Sequence, residues 1–165
     1  MKRLRNILST TLTILLLLSA GTLLAESNPT PKSKEVKIIE ITGTDKLTFS
    51  VTHFQVAPGQ TVKIILTTES TFPKMAMAHN LVLLTAEADA SAVAQASASA
   101  YQNEYIAESV KDQIIAHTAL AGKGETVEVT FTAPEENGTY EYICTFPGHY
   151  SAGMKGTMTV ENEAI

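Results

Sequence analysis

Apolar and polar residues alternate over most of the chain beyond residue 36, in short bursts separated by turn signals. KIIEI at 37–41 is followed by LTFSV at 47–51 and HFQVA at 53–57, with Phe49 and Val51 on one face and Phe54 and Val56 on a resumed face. The change of phase between Val51 and Phe54 is what a bulge in a strand produces. A Pro-Gly turn, APGQ at 57–60, leads into TVKIILTTE at 61–69, where Val62, Ile64 and Leu66 share a face. NLVLLT at 80–85, GETVEVTFTA at 124–133, TYEYIC after the PEENG turn, and GTMTV at 156–160 supply further strands.

One stretch breaks this rhythm. Residues 86–105, AEADASAVAQASASAYQNEY, are rich in alanine and poor in branched side chains, which predicts helix. Its apolar groups are mostly single methyls, so such a helix should sit shallowly against the body. Short strands punctuated by turns, with one helical excursion, predict an all-β sandwich of about seven to eight strands. No internal repeat and no Gly-rich phosphate loop is visible in the sequence.

The N-terminus reads differently. Lys2, Arg3 and Arg5 precede an apolar run that closes on small residues between Ala20 and Ala25, the pattern of a secretory signal peptide over residues 1–25. Cleavage is expected near Ala25; because Leu23 sits poorly three positions before that cut, cleavage nearer Ala20 and retention as an anchor are the alternatives. Residues 26–36, ESNPTPKSKEV, form a flexible lead-in, and 37–165 the domain. With cleavage, no stable membrane insertion is expected.

Charge narrows the function. Three of the 12 cations lie in residues 1–25, which leaves nine lysines against 17 acids and a formal charge of -8. A nucleic-acid role is disfavoured, because a phosphate backbone requires a concentrated basic surface. The chain has a single cysteine, Cys144. An exported chain with one cysteine cannot form an internal disulfide, so the thiol is buried, liganded or paired with another chain.

The surroundings of that cysteine favour a ligand. Alternation in TYEYIC puts Tyr140, Tyr142 and Cys144 on one face; beyond them CTFPGHYSAGM places His149 five positions after the cysteine and Met154 five after that. Thiolate, imidazole and thioether on one compact loop suit copper, with zinc the closest competitor. The site needs a second imidazole, and His79, in FPKMAMAHNLVLL just before an apolar strand, is the best placed of the four histidines. The predicted metal set is His79, Cys144 and His149, with Met154 as a weak axial ligand: the chemistry of a blue-copper centre. His53 and His117 are expected to be surface or structural, and Met75 and Met77 to pack on the surface.

FPKMAMAHNLVLL, IIAHTALAGKGETVEVTF and CTFPGHYSAGMKGTMTV resemble the corresponding stretches of azurin and auracyanin, small exported blue-copper proteins of the plastocyanin/azurin (cupredoxin) family. The resemblance is strong over residues 71–160 and weaker over 37–70. It implies a cupredoxin Greek-key β-sandwich with a helical flap and one type 1 copper ion, Cu(I)/Cu(II), on the four residues named. It further implies a carbonyl of Ala78 near the axial side and an Asn80 that ties the ligand loops together. The implied activity is not enzymatic: a monomer in the periplasm or extracytoplasmic space carries single electrons between transient redox partners such as a cytochrome or respiratory-chain component. Two departures stand out. The N-terminal disulfide usual in azurins cannot form here, and the Cys-x4-His-x4-Met spacing is that of auracyanins. Electrons should pass through His149, flanked by Phe146, Pro147 and Tyr150, with Met77 and Ala152 contributing to an apolar ring.

The competing readings are distinct. A copper carrier or storage protein could use the same ligands. A thiol hydrolase built on Cys144 and His149 would need an oxyanion site and an orienting third residue, neither of which the sequence offers. In a purely structural sandwich the cysteine would serve as a small hydrophobe.

Overall fold

The computed structural model describes residues 35–162. The expected 1–25 leader and most of the 26–36 lead-in lie outside the described residues. Two sheets face each other. The first contains β1 (Lys37–Thr44), the two-residue β2 (Thr48–Phe49), β4 (Thr61–Glu69) and β7 (Thr126–Thr132), in the order β2-β1-β4-β7. The second contains β3 (His53–Val56), β5 (Val82–Leu84), β6 (Ile114–His117), β8 (Gly138–Ile143) and β9 (Lys155–Val160), in the order β3-β9-β8-β5-β6. β1 runs parallel to β4 and β3 parallel to β9; the other pairs are antiparallel.

The alternation read in β4 is literal. Val62, Ile64 and Leu66 are fully buried, and they pack in one cluster with Phe54, Tyr140, Tyr142 and Met158 from the opposite sheet. Each buried aliphatic side chain of this kind contributes about 1.5–3 kcal/mol relative to exposure. Tyr142 is the largest fully buried side chain, and its hydroxyl donates to the Val51 carbonyl at 2.6 Å, so the buried phenol keeps a partner.

Two expectations change. The shift of phase between Val51 and Phe54 is not a bulge: β2 pairs with β1 in one sheet and β3 pairs with β9 in the other, so the chain crosses between sheets there. Both phenylalanines point into the same core because they reach it from opposite sides. β6 was not expected as a strand, since IIAH shows no alternation: Ile114, Ile115 and Ala116 are all half-buried. With it the described residues carry nine strands.

The alanine-rich segment forms α1 (Ala90–Ser97), capped by Asp89, whose Oδ1 accepts from the Ala92 N–H at 3.0 Å. Its buried residues are Ala90, Val93 and Ser97, so the contact is narrow, as a methyl-rich face dictates. Ala90 and Val93 join Val82, Leu84, Ile106, Val110 and Ile143 in a second cluster, on the outer face of the second sheet. Two short 3-10 turns, Tyr101–Asn103 and Glu108–Gln113, carry the chain from α1 to β6.

Register gathers one end of the second sheet. Val82 of β5 lies opposite Ile143 of β8, and Ile143 lies opposite Lys155 of β9. Residues 79–81, 144 and 154 therefore meet at that end, although 65 positions separate His79 from Cys144.

Candidate metal centre

Cys144 follows β8 directly. Tyr140 and Tyr142 are buried toward the main core, and Cys144, on the same face, is fully buried; Ile143 points the other way into the flap cluster. From the cysteine the chain makes a loop bonded to itself. The His149 N–H donates to Phe146 O at 3.0 Å, the Met154 N–H to His149 O at 3.0 Å, and the Cys144 N–H to Met154 O at 3.1 Å. Gly148 takes φ 83, a conformation for which glycine carries no steric cost, and this lets the loop turn back. Pro147 and Gly148 are exposed while His149 is only 4 % exposed, so the turn drives the imidazole inward.

His79 arrives from another direction. Its backbone exchanges two hydrogen bonds with Ala121, at 2.9 and 2.8 Å, and this isolated bridge anchors the long loop after β4. Leu81 N–H donates to Thr118 Oγ1 at 3.0 Å, and Lys74 pairs with Glu125 at 2.7 Å farther up the loop. The imidazole is fully buried.

The three donors converge. Cys144 Sγ lies 3.5 Å from His149 Nδ1 and 4.0 Å from His79 Nδ1, and all three ligand atoms fall within 4.8 Å of one another. The two imidazole centroids are 5.0 Å apart. Met154 is fully buried beside them: a Cβ placed on Gly43 would lie 3.1 Å from the Met154 Cε and 2.8 Å from the His79 Cδ2. Ala78, just before His79, is fully buried as well.

Burial sets the electrostatics. It pushes His79 down to about 4, opposed by the nearby Asp45 charge, and His149 down to about 4, so both imidazoles are neutral at pH 7 with lone pairs free to ligate. Burial also pushes the Cys144 thiol up to about 12, against the pull of backbone N–H bonds from Asn80 and Phe146 to the sulfur. A thiolate here therefore needs a cation beside it. Two neutral imidazoles, one sulfur that a cation would deprotonate and a neighbouring thioether fit copper well.

The other candidates stay apart. His53 is exposed and bonds Thr157 Oγ1 at 3.0 Å through Nδ1; His117 is exposed on β6. Met75 is 94 % exposed. Asn80 does link the ligand loops, its Oδ1 accepting from the Thr145 N–H at 2.9 Å. Around His149, the Phe146 ring lies tilted at 4.7 Å and Tyr105 meets Phe146 edge-on at 5.0 Å. A shallow groove of about 220 Å³ opens nearby between Lys74, Met75, Tyr101, Tyr105, Leu120 and Phe146.

Sequence reasoning missed Gly43. The space its absent Cβ would fill is taken by the His79 ring and the Met154 methyl. Its signal was a lone glycine inside the KIIEITGT strand, which marks a close approach by another group.

Residues 36–161 match the model of the copper binding proteins of the plastocyanin/azurin family. The chain belongs to that family. It is 43 % identical over 117 residues to auracyanin-A of Chloroflexus aurantiacus, across 70 % of this chain and 68 % of the relative. Against azurin of Pseudomonas aeruginosa the identity is 35 % over 151 residues, covering 90 % and 94 % of the two chains. Among solved structures, auracyanin A, described as a "blue" copper protein of Chloroflexus aurantiacus, superposes with a TM-score of 0.68 at 41 % identity, over 77 % of this chain and all of the other. Reduced auracyanin of Roseiflexus castenholzii gives 0.68 at 34 % identity, over 76 % and 98 %. As a plastocyanin/azurin family member with this cluster, the chain is an electron carrier with one type 1 copper centre, not an enzyme.

Proposed function

We propose that His79, Cys144 and His149 would hold the copper, with Met154 as a weaker fourth donor, and that the protein shuttles single electrons between transient redox partners outside the cytoplasm. The observation that carries this reading is the convergence of two imidazole Nδ1 atoms and one thiol sulfur, all buried, within 4.8 Å. When bound, copper supplies a one-electron couple between Cu(II) and Cu(I). The protein's part is to keep the ligands still. Strand ends fix Cys144 and Met154, the Ala121 bridge fixes His79, and the self-bonded loop fixes His149, so little rearrangement accompanies a change of charge.

Exchange with partners uses the His149 edge. Its 4 % exposure leaves only a small part of the residue at the surface, beside Phe146, and a weak, small-area encounter suits such a port. The proposed partner is a cytochrome or a respiratory-chain component. Removal of residues 1–25 delivers the domain to the periplasm or equivalent space; the order of cations, apolar run and small residues supports this.

Optical and paramagnetic-resonance spectra of the copper-loaded protein test the ligand set. An intense visible thiolate-to-copper band with a type 1 resonance is expected, and its absence from an oxidised, copper-loaded sample sinks the assignment. A carrier that merely stores copper is separated by voltammetry: a reversible wave with fast self-exchange supports the electron carrier. Ready copper exchange without such a wave supports storage.

A further inference from the structure

At the end of the flap, Glu104 and Tyr105 hold φ at 54 and 61, consecutive residues in the left-handed region that side chains other than glycine rarely occupy. Such strain persists where the surrounding structure over-determines it. Here both carbonyls meet the residues that flank the ligands. Glu104 O accepts from Asn80 Nδ2 at 3.1 Å, and Tyr105 O accepts from Thr145 Oγ1 at 2.6 Å. Thr145 Oγ1 in turn accepts from Asn80 Nδ2 at 2.8 Å, while Asn80 Oδ1 accepts from the Thr145 N–H.

These bonds use both N–H groups and the oxygen of the Asn80 amide, together with the proton and a lone pair of the Thr145 hydroxyl. Neither side chain can rotate without breaking several of them. Asn80 follows His79, and Thr145 lies between Cys144 and Phe146. The backbone N–H groups that reach the Cys144 sulfur are those of Asn80 and Phe146, one inside this knot and one next to it. The Tyr105 ring adds a second hold on Phe146 through the edge contact at 5.0 Å.

We propose that Glu104 and Tyr105 are positioning residues of the copper centre: their left-handed backbone locks the Asn80–Thr145 pair, and through it the N–H donors on the Cys144 sulfur. The flap's conformation thereby sets the reduction potential. The inference rests on the ligand set proposed above. An N–H donor withdraws electron density from the sulfur and favours the reduced state, so loosening the knot lowers the midpoint potential and shifts the thiolate-to-copper band.

Two substitutions at one position separate backbone from side chain. Glu104→Gly adopts positive φ without strain and preserves the carbonyl, so the midpoint, band and copper affinity of the copper-loaded protein stay at the wild-type values. Glu104→Pro cannot take positive φ; the midpoint falls, the band shifts and copper affinity drops about 10-fold or more. Should the proline variant not fold, Glu104→Val, which disfavours the same backbone by sterics, carries the test with a smaller shift of the same sign. Wild-type midpoint and band in a folded proline or valine variant overturn the proposal, as does an equal shift in the glycine variant, which would assign the effect to the carboxylate. A wild-type protein with no blue band overturns the ligand set instead, so the two failures are distinguishable.

Discussion

Two segments bring candidate ligands together, and they are built on opposite principles. The loop from Cys144 to Met154 is local: three candidate ligands lie within eleven residues, and the hydrogen bonds that shape it run mostly among its own members. The segment carrying His79 is remote: an exposed run from Thr71 to Ala76 delivers one imidazole, and its anchors are distant residues, Ala121, Thr118 and Glu125. A local loop can hold its shape by turn chemistry alone. A remote one requires the sandwich to be assembled first. The first region should therefore tolerate little change in its own residues, whereas the second should be sensitive at positions far from it in sequence.

Substitutions can break that comparison, beginning with the most drastic. Cys144→Ser removes the sulfur from the local loop, and the visible band of the copper-loaded protein should vanish entirely; a blue serine variant would mean that another group supplies the charge transfer. Thr118→Val strikes the remote anchor. It leaves the buried Leu81 N–H without its acceptor, and denaturant unfolding should show a loss of about 1–3 kcal/mol, with His79 less firmly held. Gly43→Ala should cost about 1–3 kcal/mol by overpacking. Unlike the serine change it should keep the blue colour while moving the band and the midpoint, because the new methyl presses on both the His79 ring and the Met154 methyl. An unshifted spectrum there would show that the centre yields without consequence.

Smaller effects complete the series. Lys74→Ala deletes an ion pair whose side chains are 43 % and 48 % exposed, so the loss should stay below about 1 kcal/mol with the spectrum unchanged. A large loss would mean that the remote loop depends on its surface latch more than on the Ala121 bridge. His117→Ala should leave the optical spectrum as it is, since that ring lies outside the cluster.

The same division explains what could be read from the chain. Strand β4 and the inward face of β8 were legible because period-two alternation is a local property with one buried face. The crossing between β2 and β3 produced the same letters as a bulge, and only the pairing partners distinguish the two. β6 was invisible because an edge strand of three half-buried residues and an exposed histidine carries no periodicity. Cys144, His149 and Met154 were marked by spacing around a Pro-Gly turn. His79 was one of four histidines, and its choice rested on the company of an apolar strand and on family resemblance.

By itself the sequence determined the chemistry of the centre: one thiol without a possible disulfide partner, a histidine and a methionine at fixed steps from it, and a sandwich to carry them. Tertiary structure alone decided how the remaining imidazole arrives and what holds it. Alignment of Val82 with Ile143 brings His79 to the sulfur, Gly43 leaves room for the ring, and the carbonyls of Glu104 and Tyr105 secure the residues between. The reason is physical. Ligand type is a property of single residues, whereas convergence to within 4.8 Å depends on pairings across more than sixty positions, which exist only once the sheets have formed.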